Sequence, residues 1–444
     1  MIENREALAT SEAHSVALDC VTAAIDAANP ETATRSAVSL DGETFAVGET
    51  VYDLEEYRKI VLVGGGKAAH GVATALESVL GERITDGIVV TKHEAETDAV
   101  RCVTGDHPLP SERNVAATDD LLRLLSEAGS ETLVLFVVTG GASALLTSPA
   151  GDLSVGTVRE TTELLLDGGV PVADINTVRK HLSNSKGGHA AREAAPATVA
   201  TLLLSDVVGN DRSAIGSGPT VPDETTFSAA LEVFDRYDLT PPASVQDHLE
   251  AGVAGRLDET PFTDDPVFTR TESHLLGDNG VALDAARTVA ADAGYSPLVL
   301  SSRLRGESRE VAKAILAVAE ECVATGDPVE PPAVLLIGGE STVTTSGEPG
   351  NGGPNQEFVL EYSLGLSDRT VVAAVDTDGE DGSSGAAGAI GDQRTVTDAD
   401  RAQRFLDAND AGTYLSEVGA TIHTGPTGTN VNDVVAVVLP DPAE

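Results

Sequence analysis

The stretch IVLVGGGKAAHGVATALE, from Ile60 to Glu77, contains the pattern on which the fold of this chain depends. Four apolar residues run into three glycines, a lysine follows, and apolar residues then recur at helical spacing. This order predicts a buried strand, a tight turn and a helix. The turn has two interpretations, which are a loop that binds an anion and an ordinary strand–helix turn followed by a lysine.

Segments of the same kind alternate along the rest of the chain. Short apolar strands followed by amphipathic helices are typical of an α/β fold with a mostly parallel sheet. The alternation restarts after the segment from Asp238 to Pro266, which is rich in Pro, Asp and Thr. We therefore predict two α/β domains, with the boundary between residues 1–265 and 266–444.

The charge of the chain disfavours several kinds of partner. Among 444 residues, 71 are acidic and 28 basic, which gives a net charge of −43. Nucleic acid is disfavoured, because neutralising its phosphates requires Lys and Arg. The carboxylates are spread evenly, and this indicates a surface adapted to high salt, where counter-ions screen self-repulsion. The composition thus predicts a halophilic source.

The cysteines and the apolar runs indicate a cytoplasmic protein. Cys20, Cys102 and Cys322 are far apart and form no CxxC pair, which favours a reducing compartment and disfavours disulfides or a zinc site. The N-terminus has no signal-peptide pattern. No apolar run reaches the roughly 18 residues that a membrane span needs.

Glycine-rich loops follow several of the predicted strands, where ligands bind in open α/β sheets. Those of the first half are GGGK (Gly64–Lys67), TGGAS (Thr139–Ser143) and SDVVGNDRSAIGSGPT (Ser205–Thr220). Those of the second half are GGEST (Gly338–Thr342), GNGGPNQE (Gly350–Glu357), DTDGEDGSSGAAG (Asp376–Gly388) and HTGPTGTNVND (His423–Asp433). Backbone N–H groups in such loops can approach an anion closely. Each loop alone is also compatible with a tight turn.

Known phosphate motifs do not match the first loop. It is not a Walker A loop, and the G-x-G-x-x-G fingerprint fails at Ala69. No G-x-S-x-G elbow occurs, which disfavours an acyl-transfer hydrolase.

Lysine is scarce, with six in the whole chain. A lysine retained in such a composition is a candidate for a specific task, and an ammonium group suits phosphate or carboxylate. Lys67 is the foremost candidate, followed by Lys186 and Lys180 in NTVRKHLSNSKGGHAA. For the last two, a solvated helix face is the alternative.

Acidic residues at strand ends are candidate magnesium ligands. Asp206 follows the apolar run VATLLL after one intervening serine, and Asp211 comes five residues later. Magnesium bound with a nucleotide takes one or two carboxylates. The run from Asp376 to Asp381 differs in spacing from a calcium loop. His107, flanked by a proline in GDHPLP, is either a substrate-binding residue or a plain turn histidine.

Taken together and in order, the loops resemble the glycerate 2-kinase family, also called the MOFRL family. The resemblance extends from about residue 5 to the C-terminus and rests on GGGKAA, HPLPSE, TGGASALL, INTVRKHLSNSKGG, SDVVGNDRSAIGSGPTVPD, GGESTVT, GGPNQE, DTDGEDGSSGAAGA and TGPTGTNVND. It implies two Rossmann-like α/β/α domains with a cleft between them, and ATP-dependent phosphorylation of D-glycerate to 2-phosphoglycerate. Some members of the family have been named hydroxypyruvate reductases.

The resemblance also implies roles for residues. Lys67 stands at the family's substrate- and phosphate-contacting lysine, whereas Pro354 stands where GGRNQE has an arginine, and His189 replaces the arginine of KGGR. Arg179, Arg303 or Lys186 could supply the missing charge. The predicted catalytic residues are Lys67, Asp206 and Asp378, the last as base, and the metal ligands are Asp206 and Asp211. The predicted nucleotide-binding residues are Gly140, Gly141, Ser143, Ser217, Gly218 and Lys186. The predicted substrate-binding residues are Lys67, His107, Asn355, Gln356 and Glu340.

The predicted cofactors are ATP and Mg²⁺, and the predicted assembly is a monomer or a homodimer. Phosphoryl transfer needs mainly positioning and charge neutralisation, which glycine loops and a few cations supply. Three alternatives remain open: an NAD(P)H-dependent hydroxypyruvate reductase, a nucleotide-binding homologue without catalysis, and a non-enzymatic structural protein. The missing dinucleotide fingerprint disfavours the reductase.

Overall fold

The computed structural model describes residues 2–94, 96–345, 350–366 and 369–441. The chain divides into two compact units, Pro30–Leu276 and a second that combines Met1–Asn29 with Gly277–Glu444. The division at Leu276 lies eleven residues beyond the predicted boundary at residue 265. The N-terminal segment, predicted in the first domain, groups instead with the C-terminal residues.

The helices, in chain order, have the following bounds. They are α1 (Arg5–Leu8), α2 (Glu12–Ala28), α3 (Pro30–Ala37), α4 (Ala69–Leu80), α5 (Glu112–Ser126), α6 (Ala142–Leu145), α7 (Val155–Asp167), α8 (Val172–His181), α9 (His189–Ala194), α10 (Phe227–Arg236), α11 (Ala243–Val253), α12 (Asn279–Asp292), α13 (Ser308–Thr325), α14 (Pro354–Gly365), α15 (Ala399–Asp407) and α16 (Ala411–Glu417). Short 3₁₀ turns cover Leu54–Glu56, Gly81–Arg83, Ile215–Ser217 and Pro266–Arg270. Among the described residues, no helix is long and apolar enough to span a membrane.

The strands have the following bounds. They are β1 (Val38–Asp41), β2 (Thr44–Val47), β3 (Thr50–Asp53), β4 (Lys59–Gly65), β5 (Ile84–Thr91), β6 (Arg101–Thr104), β7 (Thr132–Thr139), β8 (Thr198–Leu204), β9 (Thr271–Gly277), β10 (Ser296–Glu307), β11 (Ala333–Thr342), β12 (Val371–Asp376), β13 (Gly388–Gly391), β14 (Thr421–Ile422) and β15 (Asp433–Leu439). Strands β1 to β3 form a small antiparallel sheet.

The main sheet of the Pro30–Leu276 unit has the order β6-β5-β4-β7-β8-β9. All neighbours from β6 to β8 are parallel, which confirms the predicted parallel α/β arrangement for this unit. Every residue of β7 is buried. Its Leu133, Leu135 and Val137 pack into one core cluster and its Val134, Phe136 and Val138 into another, as expected for a strand covered on both faces.

The sheet of the other unit has the order β10-β11-β15-β12-β13-β14, and only β10 and β11 are parallel. The C-terminal strand β15 lies between β11 and β12 and is antiparallel to both. No helix lies between β12 and β13. A parallel crossover usually needs a helical connection, and these two strands are accordingly antiparallel. The expectation of a mostly parallel sheet is therefore wrong for this unit.

Helix α2 belongs to this second unit because of its apolar face. Its Val16, Ala17 and Val21 are buried in one core with Ala286 of α12 and Ala436 of β15. The spacing of these apolar residues is typical of a helix with one buried face, but periodicity does not identify the sheet that the face covers.

Strand order determines which loops meet. Because β4, β7 and β8 are parallel neighbours, their carboxyl ends lie at one edge and bring together Lys67, Gly140 and Asp206, which follow the three strands. In the other unit, Asp433 at the start of β15 is paired with Gly339 of β11 and with Asp376 of β12. We call these two places the β4–β7–β8 edge and the β11–β15–β12 edge.

Candidate functional site

The loop after β4 is tied closely to the end of β7. The Lys67 backbone N–H donates to Gly140 O at 2.8 Å, and the Ala68 N–H donates to Thr139 Oγ1 at 3.1 Å. Gly66 has φ +139°, and a Cβ there would lie 2.1 Å from Thr139 Oγ1. The third glycine of GGGK is therefore required by a close approach as well as by its backbone conformation.

The Lys67 side chain is half-buried. Among the described residues, its ammonium group has no hydrogen-bond or ion-pair partner, and it is available to an anion.

Asp206 and His107 lie beside Lys67. A Cβ at Gly140 would lie 2.2 Å from Asp206 Oδ2, and a Cβ at Gly141 would lie 3.1 Å from both Lys67 Cγ and His107 Nε2. Side chains from three separate loops thus converge on the two glycines of TGGAS. The β4–β7–β8 edge therefore brings three polar side chains together beside these two glycines.

The pKa values at this edge follow from burial and from Lys67. Burial raises the pKa of Asp206, and the nearby Lys67 charge opposes that rise. Burial lowers the pKa of His107, and the charges of Lys67 and Lys92 lower it further. His107 is therefore neutral at pH 7 and can accept or donate one hydrogen bond through its side chain.

A cavity of about 390 Å³ adjoins these residues within the same unit. Three of the six predicted nucleotide-binding residues, Gly141, Ser143 and Lys186, line it together with His107. The rest of its lining is Pro108, Leu109, Pro110, Ala144, Thr147, Ser148, Val158, Thr162, Glu163, Leu166, Asp167, Arg179, Leu182 and Ser183. The volume lies within the usual range for small-molecule sites, about 300–1,000 Å³.

Ser217 and Gly218 do not line the cavity, but both form hydrogen bonds close to it. Ser217 is fully buried with φ +62°, and its hydroxyl pairs with Ser143 Oγ at 2.8 Å and donates to Asn176 Oδ1 at 3.0 Å. Gly188 N–H donates to Gly218 O at 2.7 Å. Ser217 therefore orients Ser143, and the strained backbone of this buried serine is held by its surroundings.

Both lysines of the NTVRKHLSNSKGGHAA segment are buried, so a solvated helix face is excluded for them. Lys180 Nζ forms an ion pair with Asp223 Oδ1 at 3.2 Å, which indicates a structural role. Lys186 Nζ donates to Leu146 O at 2.5 Å. Burial, with the charge of Arg179, lowers the pKa of Lys186 to about 7.

Arg179 is one of the three residues predicted to supply the charge of the missing family arginine, and it lines the cavity. Burial lowers its pKa. In the part of the chain that the structure describes, its guanidinium has no hydrogen-bond or ion-pair partner. The sequence does not single out Arg179, because lysine is scarce in this chain but arginine is not.

The structure gives Asp211 a local contact. It is exposed, and its Oδ1 accepts the Ser213 N–H at 2.9 Å. Within the described ranges, no group of three or more His, Cys, Asp or Glu residues could hold a metal ion. The assignment of magnesium to Asp206 and Asp211 stays a prediction.

The acidic side chains at the β11–β15–β12 edge accept hydrogen bonds from groups of their own unit. Asp381 accepts the backbone N–H groups of Asn355 at 3.0 Å and Gln356 at 2.8 Å, and so caps the N-terminus of α14. Asn355 Nδ2 donates to Asp433 Oδ1 at 2.6 Å. Gln356 Nε2 donates to Ser384 Oγ at 2.5 Å. Asn355 and Gln356 were predicted to bind substrate, but in the structure their side-chain amide groups donate hydrogen bonds within their own unit.

Burial raises the pKa of three carboxyl groups at this edge. The pKa of Asp381 rises to about 7 and that of Asp433 to about 6. The pKa of Asp376 also rises, through burial and the neighbouring charges of Asp378 and Asp433. None of these three was among the predicted site residues, and the separation of Asp433 from the others in sequence hid the cluster.

Asp378 and Glu340 are the predicted site residues of this unit with accessible side chains, half-buried and exposed respectively. Asp378 Oδ1 accepts the Glu380 N–H at 2.9 Å. Pro354 is the first residue of α14, a position that suits proline. The arginine close to it in this unit, Arg309, forms a two-pronged ion pair with Glu357 at 2.7 and 3.0 Å. Arg303 is exposed on β10.

Comparisons with known proteins agree with this architecture. The chain matches the model for a domain of unknown function, DUF4147, over residues 16–250 and the MOFRL family model over residues 333–433. A glycerate 2-kinase from Pyrococcus horikoshii is 35% identical over 433 residues, which cover 96% of this chain and 97% of the relative. A putative hydroxypyruvate reductase from Agrobacterium vitis is 38% identical, over 86% of this chain and 87% of the relative.

A solved structure confirms the two-domain α/β fold. The crystal structure of a glycerate kinase from Thermotoga maritima matches with a TM-score of 0.85 at 33% identity, over 96% of this chain and 99% of that chain.

Proposed function

This chain belongs to the glycerate 2-kinase (MOFRL) family, and we propose that it transfers a phosphoryl group from ATP to the 2-hydroxyl of D-glycerate. The observation that carries the proposal is the convergence of Lys67, His107 and Asp206 on Gly140 and Gly141. An unpaired ammonium group stands there beside a neutral imidazole and a carboxyl group, at the edge where parallel α/β sheets bind ligands.

This arrangement suits phosphoryl transfer. Such reactions depend mainly on positioning and on neutralising the charge that is spread over the transferring group. Lys67 supplies the positive charge, and the absence of side chains at Gly140 and Gly141 lets Asp206, His107 and Lys67 lie against their backbone. His107 can donate one hydrogen bond to substrate without adding charge.

Asp206 is the carboxylate that we assign to Mg²⁺. A nucleotide-bound magnesium ion takes one or two carboxylates and otherwise phosphate and water oxygens, so a single carboxylate at this edge fits the requirement. The ion, when bound with ATP, would supply further neutralisation of phosphate charge. Asp211, exposed on the same loop, is the candidate for the second carboxylate.

From the second domain we keep Asp378 as the candidate base and Glu340 as a candidate substrate contact. Both side chains are accessible, whereas Asn355 and Gln356 are buried. The Asp378→Asn variant should lower kcat and leave the KM for ATP unchanged. An unaltered kcat would exclude Asp378 as the base.

A hydroxypyruvate reductase is the second candidate, because two relatives carry the name putative hydroxypyruvate reductase. The loop after β4 lacks the third glycine of the dinucleotide fingerprint, and this disfavours the reductase. A homologue that binds nucleotide without catalysis is the third candidate, because Pro354 stands where the resemblance implies an arginine.

One experiment separates these functions. The full chain is incubated with ATP, Mg²⁺ and D-glycerate in molar KCl, and the product is identified by phosphorus NMR. A parallel sample receives NADH and hydroxypyruvate and is followed by absorbance. We expect 2-phosphoglycerate and no loss of NADH. ATP binding without product would indicate the non-catalytic homologue, and NADH oxidation would indicate the reductase.

The surroundings of the enzyme are also part of the proposal. The net charge of −43 suits a cytoplasm rich in salt, where the surface carboxylates are screened. We propose a cytoplasmic monomer or homodimer from such a source. Activity that rises from low to molar KCl would support this assignment, and inactivation by molar KCl would contradict it.

A further inference from the structure

The lining of the cavity in the Pro30–Leu276 unit is chemically mixed. Ser143, Arg179 and Lys186 supply hydroxyl and cationic groups, whereas Leu109, Val158 and Leu166 are apolar. Glycerate, a three-carbon acid with hydroxyl groups, offers no apolar surface to the apolar residues. A nucleotide offers both a flat base and negatively charged phosphates.

No carboxylate among the described residues forms an ion pair with either cation of this cavity. The Arg179 guanidinium has no hydrogen-bond or ion-pair partner in that part of the chain, and the Lys186 ammonium group donates to the backbone carbonyl of Leu146. The cavity carboxylates, Glu163 and Asp167, are exposed on α7. A buried ammonium group beside a half-buried guanidinium is unfavourable unless an anion joins them.

We propose that this cavity binds the nucleoside diphosphate part of the phosphate donor, with Arg179 and Lys186 neutralising its two phosphates and the apolar lining residues contacting its base. The identification of that ligand as a donor rests on the proposed function. Arginine suits the first role because its planar fork matches the oxygen atoms of a phosphate.

The location also leaves Lys67 for the phosphoryl group that is transferred. Gly141 lines the cavity, and a Cβ at Gly141 would lie 3.1 Å from Lys67 Cγ. The chain of phosphates would therefore pass Gly141 from the Arg179–Lys186 pair toward Lys67. The two sets of cations divide the charge of one triphosphate between them.

The state of Lys186 provides a specific signature. Its pKa of about 7 is lowered by burial and by Arg179, and a bound phosphate would raise it again. The other titratable or charged groups that line the cavity are His107, Glu163, Asp167 and Arg179. At pH 8, where Lys186 is mostly neutral before binding, ADP binding should therefore take up a proton. At pH 6 this uptake should disappear.

The test measures ADP binding by calorimetry, with the full chain in molar KCl and no glycerate. Arg179→Met and Lys186→Met should each weaken the ADP Kd at least about 10-fold, since each removes a charge-assisted contact. Arg159→Met is the matched control, because Arg159 is exposed on α7 and is not a lining residue; its Kd should not change. Thermal unfolding shows whether each variant is folded.

Proton uptake separates a phosphate contact from a structural role of Lys186. Binding heats measured in two buffers of different ionisation enthalpy at pH 8 give the number of protons taken up. Wild type should show uptake, and Lys186→Met should not. Equal uptake in the two proteins would overturn the assignment of Lys186.

A second variant covers the case in which the buried substitutions fail to fold. Leu166 is 53% exposed, so Leu166→Glu should fold, yet it places a negative charge at the cavity and should weaken ADP binding. Val253→Glu, equally exposed on α11 and outside the cavity lining, is its control. Equal ADP affinities of these two variants would overturn the proposal.

The outcomes also separate this inference from the proposed function. An unchanged ADP Kd with a KM for glycerate raised at least 10-fold in Arg179→Met would assign the cavity to the acceptor and overturn the inference. ADP binding that depends on Arg179 in a protein that does not phosphorylate glycerate would leave the inference standing and overturn the proposed function.

Discussion

The β4–β7–β8 edge and the β11–β15–β12 edge have similar glycine-rich loops and opposite chemistry. At the first, the half-buried Lys67 side chain has no hydrogen-bond or ion-pair partner among the described residues. At the second, the first N–H groups of α14 are already bound by Asp381. The two edges therefore differ in whether a donor remains available to an anion, and not in their glycine content.

Burial raises the pKa of carboxyl groups at both edges, but the neighbouring charges that act on those groups differ. At the first edge, a cation opposes the rise in the pKa of Asp206. At the second, carboxylates raise one another's pKa values in addition to the effect of burial. The charge of Lys67 therefore favours negative charge at the first edge, whereas burial and mutual repulsion raise the pKa values of the carboxyl groups at the second edge toward neutral pH.

The largest expected effect comes from the cation at the first edge. Lys67→Met should lower kcat/KM for glycerate phosphorylation by at least about 100-fold, because a preorganised charge on the transferring group is lost. Lys59→Met is the matched control, since Lys59 is exposed at the opposite end of the same strand β4. Steady-state kinetics of both variants check this. Comparable activities would assign Lys67 to an ordinary turn.

A smaller effect is expected from the space between Gly140 and Asp206. In Gly140→Ala the new Cβ would lie 2.2 Å from Asp206 Oδ2, so the carboxylate must move. Displacement by about 1 Å can cost up to roughly 100-fold in rate, and we expect a loss of about 10- to 100-fold. Gly129→Ala, which has open space before the start of β7, should keep full activity. If Gly140→Ala is equally active, Asp206 has no positional role.

The buried Asp381 at the second edge should affect stability. The pKa of Asp381 is about 7 in the folded chain and near 3.9 in an unfolded one, so the folded state binds more protons between these values. Its contribution to the free energy of unfolding should therefore fall as pH rises from about 4 to about 7, by at most about 1.4 kcal/mol per pH unit. Asp381→Asn should flatten this slope.

Denaturant unfolding in molar KCl at several pH values measures that slope. The control is Asp292→Asn, which removes an exposed carboxylate from the same unit and should leave the slope unchanged. A wild-type slope retained in Asp381→Asn would mean that Asp381 is ionised throughout this range.

The smallest expected effect comes from removing one hydrogen bond at either end of strand β7. Thr139→Val removes the acceptor of the Ala68 N–H, and Thr132→Val removes the acceptor of the Gly129 N–H. Each should cost about 1 kcal/mol of unfolding free energy, the usual contribution of one hydrogen bond. Only Thr139→Val should also reduce kcat, because it loosens the loop that carries Lys67. Equal kcat values in the two variants would show that this hydrogen bond does not position Lys67.

Much of the fold was predictable because periodicity is local. The pattern around Ile60–Glu77 correctly predicted strand β4 and helix α4, and similar patterns predicted the parallel sheet of the same unit. The insertion of β15 between β11 and β12 was not predictable, since an apolar run does not encode its neighbours or its direction. The same limit applies to α2, whose apolar face matches either unit.

The candidate site was predictable where composition singled out a residue. Scarcity of lysine pointed to Lys67 and Lys186, and the structure places Lys67 at the sheet edge and Lys186 in the cavity. Asn355 and Gln356 were predicted from their motif, and the structure shows them buried and bonded within their own unit. Arg179 could not be distinguished from other arginines, because its lack of a partner depends on residues distant in sequence.

By itself, the sequence determined the α/β class, the glycine turns after the strands, the overall acidity and the family. These follow from the order and composition of nearby residues, which set local conformation and net charge. Only the tertiary structure decided which loops share a sheet edge, that the N-terminal helices join the C-terminal unit, and which polar groups already have partners. The physical reason is that burial, desolvation and hydrogen bonding are set by contacts between segments far apart in the chain.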